Sequence, residues 1–266
     1  MDTRQINSSL WPLVVAHRGD TTNAPENTLA AFQSALNLGV DGIELDVRLS
    51  ADGMPIVIHD EFLERTTNGT GPVSSLTTRQ LKLLQIRNPL RHSSGYERIA
   101  TLEEAIESIS TEVEILIEMK GNNRRLARSV AETIAKCYAF QHCMVISFAP
   151  GLLVQFRKLD DSTRTGLLIG ADDAWITEGR TSNTALNKLI EKLQPDCLLP
   201  HYSLLDDELM DLVSQSVVDV GTWTVDESSL INRMINLGVS RLVTNRPELA
   251  LSIRQRLMPT KDTKWT

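Results

Sequence analysis

The feature that most constrains the fold is an alternation of short apolar runs with longer segments of helical period. Eight strands are predicted, at Leu13–Ala16, Gly42–Val47, Val113–Met119, Met144–Phe148, Arg164–Leu168, Cys197–Leu199, Val218–Trp223 and Arg241–Thr244. Eight helices are predicted between and after them, beginning near Asn27, Leu102, Arg124, Pro150, Thr184, Asp206, Glu227 and Pro247. Strands that alternate with helices form a parallel sheet with crossover helices. Eight such units in 266 residues predict an α/β chain that folds as one closed (β/α)8 TIM barrel domain over residues 1–266.

One stretch interrupts this alternation. Residues 48–100 contain no helix of the usual length and are interpreted as a hairpin and small insertion between the second strand and its helix. Asp52-Gly53 is a two-residue turn signal that predicts a β-hairpin. Counting back from such a turn, Asp46 lies opposite His59, so both side chains project on the same side of the sheet. A bulge, or the nearby proline, would shift this register by one residue.

The composition is that of an ordinary globular protein, with 41% hydrophobic and 23% charged residues. The formal net charge of −7 argues against a nucleic-acid partner, but it is compatible with a small anionic substrate, because local cations or a metal can reverse the electric field inside a pocket. No apolar run is long enough to span a bilayer and no targeting segment is recognised, so membrane insertion is not expected and a cytoplasmic location is predicted. The three cysteines give no sign of a disulfide framework, and Cys143 and Cys197 are predicted to be buried.

Two carboxylates share one face of the second predicted strand. Side chains in Gly42–Val47 alternate between faces, so Glu44 and Asp46 point one way and the apolar residues point the other way. In a barrel the acidic face points inward, near the C-terminal mouth. Carboxylates held about 6–7 Å apart along a strand repel each other unless a cation lies between them. Hard oxygen ligands suit one divalent cation, Mg²⁺ or Ca²⁺, better than zinc.

The third predicted strand repeats this arrangement. Glu118 and Lys120 share a face, and they would add a third carboxylate and a positive charge to the same mouth. The alternative is that all of these are ordinary polar residues at strand ends. Two strands that both end in charge, on the side where barrel enzymes hold their chemistry, favour a functional site.

The first predicted strand ends on His17 and Arg18, at the same rim. An inert core histidine is one interpretation of His17, and a catalytic group at a barrel mouth is the other. With His59, the mouth then holds two histidines, three carboxylates, an arginine and a lysine. This set suits phosphoester chemistry, because a metal and an arginine neutralise phosphate oxygens and two histidines can act as base and acid. Gly19 is expected to let the backbone turn where a side chain would crowd a ligand.

A series of short motifs in a fixed order resembles one enzyme family. They are HRG at His17–Gly19, PENT at Pro25–Thr28, ELD at Glu44–Asp46, HD at His59–Asp60, RTTNGTG at Arg65–Gly71, IEMK at Ile117–Lys120, WTV at Trp223–Val225 and TNRP at Thr244–Pro247. Each motif alone is weak, but their joint order and spacing closely resemble the glycerophosphodiester phosphodiesterases of the bacterial cytoplasmic type. The resemblance runs from the first strand to the last helix.

The resemblance implies a TIM barrel with a small insertion after the second strand. It also implies metal-dependent hydrolysis of a small-molecule substrate, a glycerophosphodiester, to glycerol 3-phosphate and an alcohol. The implied roles are an acid/base pair of His17 and His59, metal ligands Glu44, Asp46 and Glu118, phosphate or glycerol contacts from Arg18 and Lys120, supports for the site from Glu26 and Asn27, and an apolar wall from Trp223, to which Phe148 can contribute.

The chain departs from the family's pattern at three places. Asn245 stands where the last motif often has aspartate, Asp226 stands where asparagine is frequent, and Ala100 replaces a common proline. Because an amide keeps hydrogen-bonding capacity and loses charge, Asn245 is expected to affect the surroundings of the site more than its chemistry. His201 follows a strand end and is a further candidate for a substrate contact.

No motif specifies the alcohol head group, the identity of the metal, the oligomeric state or the formation of a cyclic phosphate intermediate. Two other functions are also compatible with the sequence. A lysophospholipase D-type activity on single-chain lipids is one alternative, and the lack of a marked apolar lid counts mildly against it. A non-catalytic barrel that binds phosphodiesters is the other, and the intact histidine pair disfavours it.

Overall fold

The computed structural model describes residues 11–87, 97–172, 183–214 and 218–258. The strands in these ranges are β1 Leu13–His17, β2 Gly42–Leu49, β3 Pro55–Val57, β4 Glu114–Met119, β5 Cys143–Ser147, β6 Arg164–Ile169, β7 Cys197–Pro200, β8 Asp219–Thr222 and β9 Arg241–Thr244. The α-helices are α1 Leu29–Leu38, α2 Thr78–Leu81, α3 Leu102–Ser108, α4 Arg124–Lys136, α5 Pro150–Arg157, α6 Asn183–Leu193, α7 Asp207–Ser214, α8 Ser228–Asn236 and α9 Pro247–Leu257. Single 3₁₀ turns lie at Val73–Ser75 and Tyr202–Leu204.

Eight of these strands form a closed parallel barrel. Hydrogen bonding runs in the order β1, β9, β8, β7, β6, β5, β4, β2, and β1 also pairs with β2, which closes the ring. β3 lies outside the ring and pairs antiparallel with β2. The predicted (β/α)8 TIM barrel is therefore confirmed, and the eight predicted strands correspond to β1, β2 and β4 to β9. Within the described ranges, every helix is too short or too polar to cross a membrane.

Local sequence signals set where the helices begin and end. Thr28 precedes α1, and its hydroxyl accepts a hydrogen bond from the backbone N–H of Ala31 at 3.1 Å. Thr101 and Glu104 form a reciprocal capping box at the start of α3. Gly39 follows the last residue of α1 and caps the helix with a left-handed φ of 77°. These caps fix the point at which the chain enters the helix after β1 and the helix after the insertion.

The barrel strands bury both faces, each against a different layer. Outward side chains, such as Ile43 and Leu45 of β2, pack with the surrounding helices in the main core. Inward side chains fill the barrel, and they are Val15, Leu116, Met144, Ile146, Leu168, Cys197, Leu199 and Val243. Cys143 and Cys197 are buried free thiols, as predicted. Because the interior is packed, polar chemistry is confined to the two ends of the barrel.

Charged side chains close the N-terminal end of the barrel. Arg241 donates from Nε and Nη2 to the carboxylate of Glu114 at 2.7 and 2.9 Å, and from Nη1 to Asp219 at 2.8 Å. Arg164 lies 2.7 Å from the same Glu114 carboxylate. Although burial favours the neutral acid, the two arginines hold the pKa of Glu114 below its usual value. We call these four residues the floor network; they satisfy a buried carboxylate at the end opposite the predicted site.

The segment between β2 and α3 has a small core of its own. We call it the insertion core, and it consists of Ile56, Ile58, Leu63, Val73, Leu81, Ile86 and Ile99. Val57, between the first two of these residues, packs instead in the main core. β3 therefore presents one face to the barrel layer and the other face to the insertion.

The hairpin that begins this segment has a three-residue turn, so the predicted register is wrong by one residue. The backbone N–H of Ser50 donates to the Met54 carbonyl at 3.0 Å, which leaves three residues in the turn rather than two. Asp46 is consequently opposite Ile58, whose N–H donates to the Asp46 carbonyl at 2.9 Å, and not opposite His59. The third turn residue is a glycine with a left-handed φ of 85°, which is the geometry that a three-residue hairpin loop needs.

Candidate active site

The register of three neighbouring parallel strands brings predicted site residues together at the C-terminal mouth. His17, at the end of β1, lies opposite Glu44 of β2. Asp46 of β2 lies opposite Glu118 of β4. Residues paired across neighbouring strands project from the same side of a sheet, so one histidine and three carboxylates meet inside the mouth.

The three carboxylates form a compact buried cluster, which we call the acidic triad. Glu44, Asp46 and Glu118 are 3%, 0% and 7% exposed, and each offers an oxygen that lies within 4.8 Å of the others. Glu44 Oε1 is buried without a hydrogen-bond partner among the described residues. Because a buried, unpaired carboxylate oxygen is costly, this donor set fits a hard divalent cation.

Electrostatics inside the acidic triad oppose the presence of three charges. Burial, followed by the charges of Asp46 and Glu118, raises the pKa of Glu44 well above its usual value. Burial, with Asp46 beside it, raises the pKa of Glu118 to about 7, although Lys120 opposes this shift. Burial also favours a neutral Asp46, but Lys120 and Arg18 hold its pKa below the usual value. A cation bound among the three oxygens would favour the ionised form of all three groups.

Two positively charged side chains flank the acidic triad. Lys120 Nζ lies 2.7 Å from Glu118 Oε1 and 3.0 Å from Asp46 Oδ1. Arg18 Nε lies 3.1 Å from Asp46 Oδ2, and Arg18 Nη1 donates to Glu26 at 3.0 Å. The side chains of Lys120 and Arg18 remain 12% and 18% exposed, so an anion that enters the mouth can contact both.

The loop after β1 is held in an uncommon backbone conformation. Arg18 and Asn27 have φ angles of 59° and 58°, in the left-handed region that residues other than glycine rarely adopt. The N–H of Arg18 donates to Glu44 at 3.1 Å, and the N–H of Asn27 donates to the Arg18 carbonyl at 3.0 Å. The Asn27 side chain also donates to Asp46 Oδ2 at 2.8 Å and accepts from the Asp46 N–H at 3.2 Å. Such backbone conformations cost about 1–3 kcal/mol each and are concentrated at functional sites.

Gly19 permits this loop for a different reason from the one expected. Its φ is 83°, and a Cβ atom at this position would lie 2.7 Å from the carbonyl carbon and Cβ of Ala31 in α1. The neighbour that a side chain would crowd is therefore the helix and not a ligand. A side chain here would push the loop away from α1, and with it the residues that hold the acidic triad.

His17 is largely buried and is held by an amide. Its Nδ1 lies 2.7 Å from Asn245 Oδ1, and its Nε2 lies 3.8 Å from Glu44. Asn245 donates from Nδ2 to Asp226 at 2.8 Å, so its Oδ1 is the acceptor and His17 carries its proton on Nδ1. Burial, followed by the charge of Arg18, lowers the pKa of His17 to about 4. Asn245 and Asp226, the two departures from the family pattern near this histidine, are thus hydrogen-bonded to each other.

His59 reaches the mouth from beyond the end of β3. Burial lowers its pKa, and the charge of Asp46 is near enough to oppose this shift. His59 Nδ1 lies 2.6 Å from Asp60 Oδ1, and Arg48 Nε donates to the His59 carbonyl at 2.7 Å. A small crevice lies beside the histidine, between the loop after β1 and the insertion. The structure therefore brings His59 to the site, although the strand pairing expected to do so is wrong.

A series of ion pairs connects the two histidine-bearing parts of the mouth. Arg65 donates from Nη1 and Nη2 to Glu26 at 2.7 and 2.8 Å. The same guanidinium contacts Asp60 through Nε and, at 3.1 Å, through Nη2. Since Glu26 also accepts from Arg18 and Asp60 contacts His59, the contacts continue without a gap. We call the series His59, Asp60, Arg65, Glu26 and Arg18 the ion-pair chain.

Aromatic side chains line the other side of the mouth. Trp223 follows β8, and its Nε1 donates to the Leu199 carbonyl at 2.7 Å. Phe148 follows β5, is 43% exposed, and packs edge-on against Trp223 with ring centroids 5.3 Å apart. His201 follows β7, and its ring lies 5.2 Å from Trp223 and 4.3 Å from Tyr202. Trp223 and Phe148 lie at the strand ends where an apolar wall was expected, and His201 extends the same surface.

Three residues around the histidines were not assigned from sequence: Asp60 and Asn245, which contact a histidine directly, and Arg65, which contacts Asp60. The HD and RTTNGTG motifs contain Asp60 and Arg65, which is the available signal, but a motif does not say what a side chain contacts. Asn245 was noted only as a departure from the family pattern. Its contact with His17 joins the last strand of the barrel to the first, and this closure has no local sequence signature.

A closed parallel barrel with an acidic triad, two histidines and two cations at its C-terminal mouth is typical of enzymes that hydrolyse phosphate esters. Comparison with known proteins narrows this class. Residues 17–249 match the model of the Glycerophosphoryl diester phosphodiesterase family. The chain belongs to this family, and the resemblance read from its motifs is confirmed.

Individual relatives cover nearly the whole barrel. A glycerophosphodiester phosphodiesterase from Caldanaerobacter subterraneus subsp. tengcongensis is 35% identical over 252 residues, which are 91% of this chain and 97% of the relative. The structure of an Oleispira antarctica phosphodiesterase in complex with the product sn-glycerol-3-phosphate has a TM-score of 0.79 at 28% identity, and covers 91% of this chain and 96% of its own. The crystal structure of glycerophosphodiester phosphodiesterase from Thermotoga maritima has a TM-score of 0.74 at 28% identity, and the match covers 91% of this chain and 98% of the relative. The chain is accordingly an enzyme with glycerophosphodiester phosphodiesterase activity.

Proposed function

We propose that the enzyme hydrolyses glycerophosphodiesters to glycerol 3-phosphate and an alcohol, with one divalent cation and with two histidines as base and acid. The observation that carries this proposal is the buried acidic triad, in which Glu44 Oε1 has no partner among the described residues, beside His17. The product bound in the Oleispira antarctica relative supports a small glycerophosphate ligand. Barrel and insertion would act as one domain, since each supplies one histidine.

The proposed cation site consists of Glu44, Asp46 and Glu118, whose oxygens suit Mg²⁺ or Ca²⁺. When bound, a divalent cation supplies charge neutralisation and Lewis-acid polarisation of a phosphate oxygen. The protein holds the carboxylates ready for it. Asn27 fixes Asp46 through two hydrogen bonds, and Lys120 pairs with Glu118.

Arg18 and Lys120 are the proposed phosphate ligands. Burial disfavours both charges, but Asp46 raises the pKa of each side chain, so both remain cationic. Arg18 Nε lies against Asp46 and Arg18 Nη1 donates to Glu26, so the planar guanidinium is held in one orientation, and its exposed part faces an oxyanion that enters the mouth. The two cations would neutralise the phosphodiester and orient it toward the histidines.

The two histidines would divide the proton transfers. His17 keeps its proton on Nδ1 against Asn245, so Nε2 can accept a proton from the attacking hydroxyl group. His59 is the proposed acid, because Asp46 and Asp60 oppose the lowering of its pKa. It would protonate the leaving alcohol oxygen as the P–O bond breaks. Water attacks in the direct route, whereas in a variant route the glycerol hydroxyl attacks first and water then opens a cyclic phosphate.

Trp223 and Phe148 are proposed as the apolar wall over the glycerol or the leaving group. The hydrogen bond from the Trp223 indole to the Leu199 carbonyl fixes the orientation of the ring. A ring that is already fixed loses little conformational freedom when a ligand packs against it. This wall would contribute to affinity for the organic part of the substrate, separately from the phosphate contacts.

The direct test crosses a substrate panel with a metal panel. Purified protein, stripped of metal with a chelator, is incubated with glycerophosphocholine, glycerophosphoethanolamine or a lysophospholipid, each with Mg²⁺, Ca²⁺ or no added metal. Glycerol 3-phosphate is measured with a coupled assay. We expect product from the glycerophosphodiesters only when a divalent cation is present. Phosphorus NMR during turnover decides whether a cyclic phosphate forms.

Two variants and one control test the residue assignments. His17→Asn should lower kcat by about 10²–10⁴-fold, since it removes the proposed base. Glu44→Gln should abolish the response to added metal. His142→Asn changes a half-buried histidine at the opposite end of the barrel and should leave turnover unchanged. Full activity of His17→Asn would contradict the acid/base assignment, and preferred turnover of the lysophospholipid would favour a lysophospholipase D.

A further inference from the structure

We infer that Arg65 is a positioning residue that holds His59 and Arg18 in their working orientations at the same time. The inference rests on the proposed roles of those two residues and goes beyond them, because Arg65 touches neither. It contacts Glu26, in the loop after β1, and Asp60, in the insertion. Through these two carboxylates it lies at the centre of the ion-pair chain.

The geometry at Arg65 depends on the shape of the guanidinium as well as its charge. Nη1 and Nη2 bind Glu26 at 2.7 and 2.8 Å, while Nε and Nη2 bind the two oxygens of Asp60. A guanidinium presents five N–H donors in one plane and can serve two carboxylates along two edges. A lysine ammonium is a point charge on a flexible stem and cannot reproduce both paired contacts.

The contact of Arg65 with Asp60 fixes the orientation of His59. Asp60 Oδ1 lies 2.6 Å from His59 Nδ1, and the same oxygen accepts from Arg65 Nη2 at 3.1 Å. Because both Asp60 oxygens are held by Arg65, the carboxylate cannot rotate away from the imidazole. A fixed carboxylate on Nδ1 keeps the proton on that nitrogen and leaves Nε2 to exchange a proton with the substrate.

The contact of Arg65 with Glu26 fixes the position of the Arg18 side chain. Glu26 Oε1 accepts from Arg65 Nη2 at 2.8 Å and from Arg18 Nη1 at 3.0 Å, so one carboxylate is shared between two cations. Without Arg65, the full charge of Glu26 would act on Arg18 and draw it away from Asp46 and from the phosphate. Arg65 thus weakens the attraction of Glu26 for Arg18, the proposed phosphate ligand.

The effect should be on orientation more than on stability. The Arg65 side chain is 48% exposed, and ion pairs at that exposure contribute little to the free energy of unfolding. Lys82 provides a matched control, because its ion pair with Glu104 also joins the insertion to the barrel helices and is comparably exposed. Unlike Arg65, Lys82 contacts no member of the ion-pair chain among the residues that the structure describes.

The first experiment reads the orientation of His59 without measuring activity. Nitrogen NMR of the histidine rings is compared for wild type, Arg65→Ala and Lys82→Ala, with and without Mg²⁺. We expect the His59 signals in Arg65→Ala to change from one tautomer to a mixture, while the signals of His201 stay unchanged. Lys82→Ala should resemble wild type. Unchanged His59 signals in Arg65→Ala would overturn the inference; if that variant does not fold, Arg65→Lys carries the same comparison.

The second experiment measures kcat and KM with glycerophosphocholine. Arg65→Ala should lower kcat by about 10–100-fold, the usual loss when a group that orients a catalytic ligand is removed. Arg65→Lys should recover only a small part of this loss, and Lys82→Ala should keep the wild-type kcat. Added guanidinium ion, at concentrations that leave the thermal midpoint unchanged, should restore part of the activity of Arg65→Ala, whereas ammonium should not.

The outcomes separate this inference from the proposed function. A wild-type enzyme that turns over no phosphodiester would refute the proposed function, and the NMR comparison would still decide the role of Arg65. Wild-type kcat in Arg65→Ala, or an equal loss in Lys82→Ala, would overturn the positioning role. Failure of guanidinium to restore any activity in a folded Arg65→Ala protein would also overturn it.

Discussion

Replacing Glu44 by glutamine should make the metal-free protein more stable and remove its response to divalent cations. Glu44 is buried beside two other carboxylates, and one of its oxygens has no partner among the described residues. Burial and those charges raise its pKa well above the usual value. The folded protein therefore keeps a proton that the unfolded chain releases, so the stability of the metal-free protein falls as pH rises above the unfolded pKa. Glutamine has nearly the same shape and no such dependence.

The size of the effect follows from the geometry of the acidic triad. The oxygens of the acidic triad lie within 4.8 Å of one another, and two carboxylate charges at that limiting distance repel each other by about 3.5 kcal/mol at an effective dielectric constant of about 20. Arg18 and Lys120 offset part of this repulsion. At low pH, protonation of a carboxylate removes the remainder, but this protonation is lost as pH rises. We expect Glu44→Gln to add about 2–4 kcal/mol to the free energy of unfolding at mildly alkaline pH. For a chain of this size the thermal midpoint would rise by roughly 4–16 °C.

Thermal denaturation followed by circular dichroism provides the assay. Wild type, Glu44→Gln and the exposed control Glu107→Gln are melted with a chelator and then with saturating Mg²⁺ or Ca²⁺, over a range of pH. A cation at about 100 times its dissociation constant should stabilise wild type by about 2.7 kcal/mol and Glu44→Gln by much less. If Glu44→Gln were less stable than wild type in chelator, or if metal stabilised both proteins equally, the assignment of the acidic triad as a cation site would be wrong.

Three further substitutions test other parts of the structure. Asn245→Leu removes the acceptor from His17 Nδ1 at similar volume and should lower kcat by about 10–100-fold in steady-state assays; the loss of its hydrogen bonds to His17 and Asp226 should also lower the thermal midpoint. Arg241→Met leaves the buried Glu114 without its main partner and should cost about 3–5 kcal/mol in urea unfolding, while adding Glu114→Leu should recover most of that loss. Gly166→Ala places a Cβ atom 2.7 Å from a Leu199 methyl group inside the barrel, and should lower the free energy of unfolding by about 1–3 kcal/mol in the same assay. Unchanged stability would mean that the Leu199 side chain can move to accept the added methyl group.

The inward carboxylates could be predicted from sequence because strand geometry is local. Alternation within β2 and β4 is enough to assign Glu44, Asp46 and Glu118 to one side, and the count of strands indicates the barrel. The hairpin register could not be predicted in the same way. Asp52-Gly53 is compatible with a two-residue or a three-residue turn, and a difference of one residue reverses the face of every side chain. His59 still reaches the mouth because the chain leaves β3 at Val57, before the histidine.

The surroundings of the histidines depend on contacts that no local pattern encodes. His17 and Asn245 meet because the last strand of the barrel pairs with the first, over a separation of 228 residues. Glu26 and Arg65 meet because the insertion folds back over the loop after β1, 39 residues away in sequence. Family motifs identify such residues as candidates, but the distances and donors that define their roles come only from the folded chain.

The separate insertion core has a consequence for how the enzyme loses activity. His17 and the acidic triad belong to barrel strands, whereas His59 directly follows Ile58, which packs with Ile56 of β3 in the insertion core. A cluster of seven buried residues is a smaller cooperative unit than the barrel and opens at a lower free energy. We therefore expect backbone amides around Ile58 to exchange with deuterium faster than those of the barrel strands. We also expect mild heating to cause a reversible loss of activity while the barrel remains folded.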